Sequence, residues 1–121
     1  MDIQIKGTKY EPTPEVIRHT TKQVSRLQKF FRHASGEVRA YMELERAVGS
    51  MQKGDVWRAE LNVDVGGERY RAESTKVKLD HAVTTVVHDV ERELARAKKK
   101  DHDFVRKGGA AVKSFLRGFR K

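Results

Sequence analysis

The chain opens on an alternation. Ile3 and Ile5 stand between Gln4 and Lys6, and Gly7 closes the run, which predicts a short strand over residues 2–6. Thr13 followed by Pro14 and Glu15 has the order of a helix start, because a threonine hydroxyl caps a free N–H and proline needs no donor in the first turn. A helix is predicted from there to about Arg32. At 100° per residue Val16, Ile17, Val24, Leu27, Phe30 and Phe31 form its apolar face, and Arg18, Lys22, Arg26, Lys29 and Arg32 gather opposite. Ala34-Ser35-Gly36 ends it.

Three more alternating stretches follow. Val38, Ala40, Met42 and Leu44 interleave with Arg39, Tyr41, Glu43 and Glu45; Trp57, Ala59, Leu61, Val63 and Val65 interleave with Arg58, Glu60, Asn62 and Asp64. Between them lies a flexible Val48-to-Gly54 connection, and Gly66-Gly67 turns the chain into a last strand at Tyr70-Arg71-Ala72-Glu73-Ser74. This is an antiparallel meander with one buried and one wet face, its last two strands joined by a glycine hairpin. From Leu79 the period changes to about 3.6: Leu79, Ala82, Val83, Val86, Val87, Val90, Leu94 and Ala97 share a face, with His81, His88, Arg92, Arg96 and Lys99 outward. The expected fold is α+β: a single β-α-β-β-β-α domain over residues 1–100, two helices on one face of a four-stranded sheet. Residues 101–121 then form a basic, partly amphipathic tail in which Val112, Phe115, Leu116 and Phe119 keep helical spacing. Alone in water so short a stretch makes a marginal helix, so the tail is expected to be disordered until it meets a partner.

Charge sharpens this picture. The 121 residues carry 26 Lys+Arg against 17 Asp+Glu, a formal net charge of +9, and no cysteine. Residues 97–121 alone hold nine basic and two acidic side chains, and Glu15 is the one acid between Pro14 and Arg32. Clustering of this kind points to a polyanionic partner. The absence of cysteine excludes disulfide scaffolds, cysteine-ligated zinc and a thiol nucleophile. With no apolar run long enough to span a bilayer and no signal-like N-terminus, a cytoplasmic protein without a membrane partner is expected.

Little in the sequence serves catalysis. The five histidines, His19, His33, His81, His88 and His102, are scattered, and His81 and His88 stand two turns apart, too wide for a chelating pair. Gly66-Gly67 lies between strands and opens no helix, so it is not a phosphate loop. The strand carboxylates sit among basic neighbours and are expected to form cross-strand ion pairs. No enzyme, metal, cofactor or small-molecule substrate is therefore expected. Basic helix faces suit RNA phosphates, and with Tyr41 as the clear outward aromatic the sheet is a poor base-stacking platform.

Several motifs resemble the ribosome hibernation promoting factor family, also called ribosome-associated inhibitor or protein Y. These are Ile3-x-Ile5-x-Gly7, Glu11-x-Thr13, the run Lys22-Gln23-Val24-Ser25-Arg26-Leu27-Gln28-Lys29-Phe30-Phe31, Val63-Asp64-Val65-Gly66-Gly67 leading to Arg69-Tyr70-Arg71-Ala72-Glu73, and Val90-Glu91-Arg92-Glu93-Leu94. The likeness spans about residues 1–100. It implies a domain that lodges in the messenger and tRNA channel of the small ribosomal subunit, inhibits translation and stores idle ribosomes. The helix faces would meet ribosomal RNA, which the resemblance carries to Lys22, Arg26, Lys29 and Arg92. Facing and charge extend the set to Arg18, Arg32, Arg96, Lys98, Lys99 and Lys100, and Lys76 and Lys78 complete it at the start of the second helix.

The chain departs from the family at Val77-Lys78-Leu79-Asp80-His81-Ala82-Val83-Thr84, where an acidic pair followed by Met-Tyr-Ala-Ala-Ile-Asp is usual. The dedicated dimerisation domain of long members is not expected in a chain of this length. The alternative expectation is a general binder of double-stranded or structured RNA. A peripheral membrane module resting on the tail's Phe115, Leu116 and Phe119 is the third.

Overall fold

The computed structural model describes residues 1–32, 37–47 and 56–107, with side chains described as far as Lys99. In chain order the elements are β1 (Asp2–Thr8), α1 (Pro14–Ser25), the 3₁₀ helix η1 (Arg26–Phe31), β2 (Val38–Arg46), β3 (Trp57–Val65), β4 (Glu68–Lys76) and α2 (Leu79–Lys107). The sheet order is β1-β2-β3-β4, with β1 parallel to β2 and the other pairs antiparallel. The expected α+β architecture is present, with both helices on one face of the sheet.

Each element has a local cause. Thr13 caps α1 by accepting from the Val16 N–H at 3.2 Å, with Pro14 in the first turn. Gly66 and Gly67 take φ of 54° and 87°, the left-handed pair that a two-residue hairpin requires, and β4 is longer than its alternation showed. Gly7 ends the β1 alternation for a second reason: a Cβ there would lie 2.0 Å from the Tyr10 carbonyl oxygen and 2.6 Å from the Pro12 ring. The β1–α1 loop closes over that gap.

The inner faces of β2 and β3 supply Ala40, Met42, Leu44, Leu61 and Val63, and α2 answers with Ala82, Val83, Val86, Val87, Val90 and Leu94. Val24 and Leu27 complete the core from the first helical segment. An edge-to-face contact of Tyr10 and Trp57, centroids 4.8 Å apart, with Arg46 stacked over the Trp57 ring, lies at the end where both helices begin.

Three expectations are corrected. The first helix is not α-helical to Arg32: it tightens to 3₁₀ at Arg26, and this changes which residues align. At three residues per turn, positions i and i+3 eclipse, so Leu27 and Phe30 share one line and Arg26 and Lys29 another. Ile17, expected in the core, is 44% exposed: it stands at the edge of the buried stripe, about 50° of helix rotation from the mean direction of Thr20, Val24 and Leu27. Lastly, the α2 backbone continues through 101–107, past the boundary expected near residue 100. The 34–36 helix end, the 48–54 connection and the apolar positions of the tail after residue 107 lie outside the described residues.

Candidate nucleic-acid interface

Topology decides how the basic residues meet. Because β1 and β4 run in the same direction, α1 and α2, each following one of them and returning across the sheet, also run in the same direction. Their starts lie together and so do their ends. The starts carry the acids Glu15 and Asp80. Toward the other end come Lys22, Arg26, Lys29 and Arg32 on α1–η1, and Arg92, Arg96, Lys98 and Lys99 on α2, all exposed. The acids at the helix starts suit the helix dipole. The parallel packing sets both acidic starts at one end and the cations of both helices toward the other.

The structure thus brings together eight of the residues expected at the site and leaves three apart. Arg18 lies in the early turns of α1, and Lys76 and Lys78 flank the start of α2, so that Lys78 is 18 positions, or about 27 Å of helix, from Arg96. The Lys100 side chain lies outside the described ones. Leu94 is the last fully buried residue of α2 among those described, and the helix backbone continues some 13 residues, about 20 Å, beyond it. This extension starts with Arg96, Lys98 and Lys99.

The basic residues are not equivalent. Lys29 Nζ lies 2.8 Å from Glu91 Oε2 and Arg26 Nη2 lies 3.7 Å from Glu91 Oε1, across the seam between η1 and α2. The Lys29 ammonium at ion-pair distance holds the Glu91 carboxyl below its ordinary pKa, against the opposing effect of burial. Arg92 pairs with Asp89 at 2.6 Å within α2. Arg18, Lys22, Arg32, Arg96, Lys98 and Lys99 make no ion pair among the described residues. Glu91 was missed by sequence reasoning: it is one acid among several on α2, and only the tightening of η1 sets two cations over it.

The outer sheet face behaves differently. Arg58 reaches Glu43, Glu45, Glu60 and Glu73 at 3.5, 3.3, 2.5 and 2.6 Å, Arg71 reaches Glu60 at 2.7 Å and Arg69 reaches Asp64 at 2.7 Å. Burial opposes the Arg58 charge, yet its bonds to Glu60 and Glu73 outweigh this and raise its pKa. Hydrogen bonds from Arg71 first, then Asn62, lower Glu60 from 4.5 to about 2, and Arg69 likewise lowers Asp64. The cross-strand pairing expected of these carboxylates is present. A face whose arginines are committed to its own carboxylates has little charge left for a partner.

Among the described residues no three His, Asp or Glu side chains are grouped to hold a metal, and no helix is long and apolar enough to cross a membrane. Fold and site together define a small α+β domain in which, among the described residues, cations without an ion pair cluster on the helix layer while the arginines at the centre of the outer sheet face are paired. The chain belongs to the Sigma 54 modulation protein / S30EA ribosomal protein family, whose model matches residues 3–102. The family is one of ribosome-associated, non-catalytic proteins. Among solved structures, the chain is similar to the N-terminal domain of Protein Y from Thermus thermophilus, with 27% identity, a TM-score of 0.66, and 79% of this chain and 98% of that one covered. A ribosomal subunit interface protein from Coxiella burnetii shares the fold at 18% identity and a TM-score of 0.63, over 82% of this chain and 99% of that one. No curated protein sequence matches the chain significantly.

Proposed function

We propose that this protein is a ribosome hibernation factor: it occupies the messenger and tRNA channel of the small ribosomal subunit, contacts ribosomal RNA through the cationic ends of its two helices, and so blocks translation and stores idle ribosomes. Family membership over residues 3–102 supports the ribosome as partner. The observation that carries the mode of contact is the segregation of charge: among the described residues Lys22, Arg32, Arg96, Lys98 and Lys99 make no ion pair on the helix layer, while Arg58, Arg69 and Arg71 are paired on the sheet. Cations of the first kind exchange condensed counterions for phosphates at no internal cost. Paired cations must first give up a carboxylate.

Co-sedimentation with purified small subunits across a salt series tests this reading. The expected result is near-stoichiometric binding that weakens steeply with salt and is lost when messenger and tRNA already fill the channel. Binding that is indifferent to salt, or equal affinity for any long RNA duplex, would overturn it.

A further inference from the structure

Glu91 stands out among the acids of the helix layer. Its side chain is 15% exposed, whereas those of Arg26 and Lys29 are 56% and 53% exposed. The carboxylate therefore grips both cations from the protein side and leaves their outer halves in water. Donor counting shows what remains. Lys29 has three N–H donors; its ammonium lies 2.8 Å from Glu91 Oε2 as an ion pair, without a well-aligned hydrogen bond, and also rests over the Phe30 ring at 5.4 Å from the centroid. Arg26 has five, of which one is directed to Gln23 Oε1 at 3.4 Å and one toward Glu91. With more than half of each side chain exposed, both cations stay accessible to a second anion.

We infer that Glu91 is a positioning residue: it presets Arg26 and Lys29 as one two-cation clamp for a single stretch of RNA phosphate backbone. The inference rests on the proposed ribosomal function and assigns a role within it to an acid. Long basic side chains lose rotamer freedom when they bind, at about 0.5–1.5 kcal/mol each. An internal carboxylate that already holds both removes part of that cost for a target whose phosphates match the preset spacing. It offers nothing to a flexible polyanion, for which Glu91 is only a repelling charge. Eclipsing of i and i+3 in η1 is what puts both cations over one acid, so the 3₁₀ geometry belongs to the device.

The sign of one substitution tests this. Glu91→Gln keeps the shape and raises the net charge by one, so simple electrostatics makes every polyanion bind tighter. Positioning requires the opposite on the matched target: affinity of Glu91→Gln for small subunits falls by about three- to tenfold, from the ordering cost of two freed side chains, while its retention on heparin is unchanged or increased. In a Lys29→Gln, Arg26→Gln background the same change has no further effect on subunit binding, because nothing is left to position. Thermal melts of every variant separate this from unfolding. Should Glu91→Gln fail to fold, Glu91→Asp, which keeps the charge but withdraws it by one methylene, is expected to weaken subunit binding and leave heparin retention unchanged.

Subunit affinity that rises in parallel with heparin retention, or that does not move, overturns the role of Glu91. Wild-type protein that fails to bind small subunits at all overturns the functional reading instead.

Discussion

Two variants with equal loss of charge on opposite faces decide whether the helix layer or the net charge drives binding. Arg96 and Lys99 are exposed and, among the described residues, make no ion pair and follow the last fully buried position of α2, so Arg96→Gln with Lys99→Gln removes two charges without opening the core. Each phosphate neutralised contributes about 0.7–0.9 to the slope of log affinity against log salt, which at about 0.15 M monovalent salt is a factor of roughly four to five. The double variant is expected to reduce the slope by about 1.4–1.8 and the affinity for small subunits by about 15- to 30-fold. Arg69→Gln with Arg71→Gln removes the same two charges from the sheet, where each is paired with a carboxylate. It should leave the slope unchanged. The assay is filter binding or sedimentation at five salt concentrations, with thermal melts of both variants. An equal drop in slope for the two variants would refute the assignment to the helix layer.

The remaining predictions concern what holds the site in place. Glu60 is lowered from 4.5 to about 2, so its pairing stabilises the fold above pH 4.5 and that contribution is lost as pH falls toward 2. The shift corresponds to an upper bound of about 3 kcal/mol, reduced to about 1–2 kcal/mol by solvent screening of its half-exposed arginine partner; chemical denaturation should show Glu60→Gln less stable than wild type by that amount at pH 7 and equal to it near pH 2. Gly7→Ala forces the Tyr10 carbonyl and the Pro12 ring away from β1 and is expected to cost about 1–3 kcal/mol, read as a lowered unfolding midpoint. Leu94→Ala empties a fully buried position where α2 leaves the core, and should cost about 2–5 kcal/mol in the same experiment.

The sheet and α2 were legible because burial on one face imposes a period, and Ala40, Met42, Leu61 and Val63 show it in every strand turn. The N-cap at Thr13 and the Gly66-Gly67 hairpin were legible for a different reason: each position needs a particular residue type. The 3₁₀ segment was not. Leu27 and Phe30 are three apart, a spacing that serves α and 3₁₀ helices alike, and neither proline nor glycine marks the change at Arg26. The basic residues were visible as residues, but their inequality was not, since the partner of Arg26 and Lys29 is more than sixty positions away on α2. Lys76 and Lys78 were grouped with the site by charge and separated from it by topology.

Helix-dipole stabilisation and RNA contact both favour cations at helix ends, and the two must be separated before a basic cluster is read as a binding surface. The dipole acts within the last turn and contributes about 0.3–1 kcal/mol per charge. On α1–η1, Lys29 and Arg32 stand at the end of the segment, so local stability alone accounts for their sign. Arg96, Lys98 and Lys99 do not have that explanation: α2 continues to Lys107, more than two turns farther on, where the dipole effect no longer reaches them. Neither do they serve the core, for all three are exposed and follow Leu94, the last fully buried position of α2 among the described residues. Like charges that close on one stretch of helix repel one another at i,i+3, a standing cost to the free protein. Among the described residues this cost has no return, which makes these three the residues whose charge reports most directly on the partner.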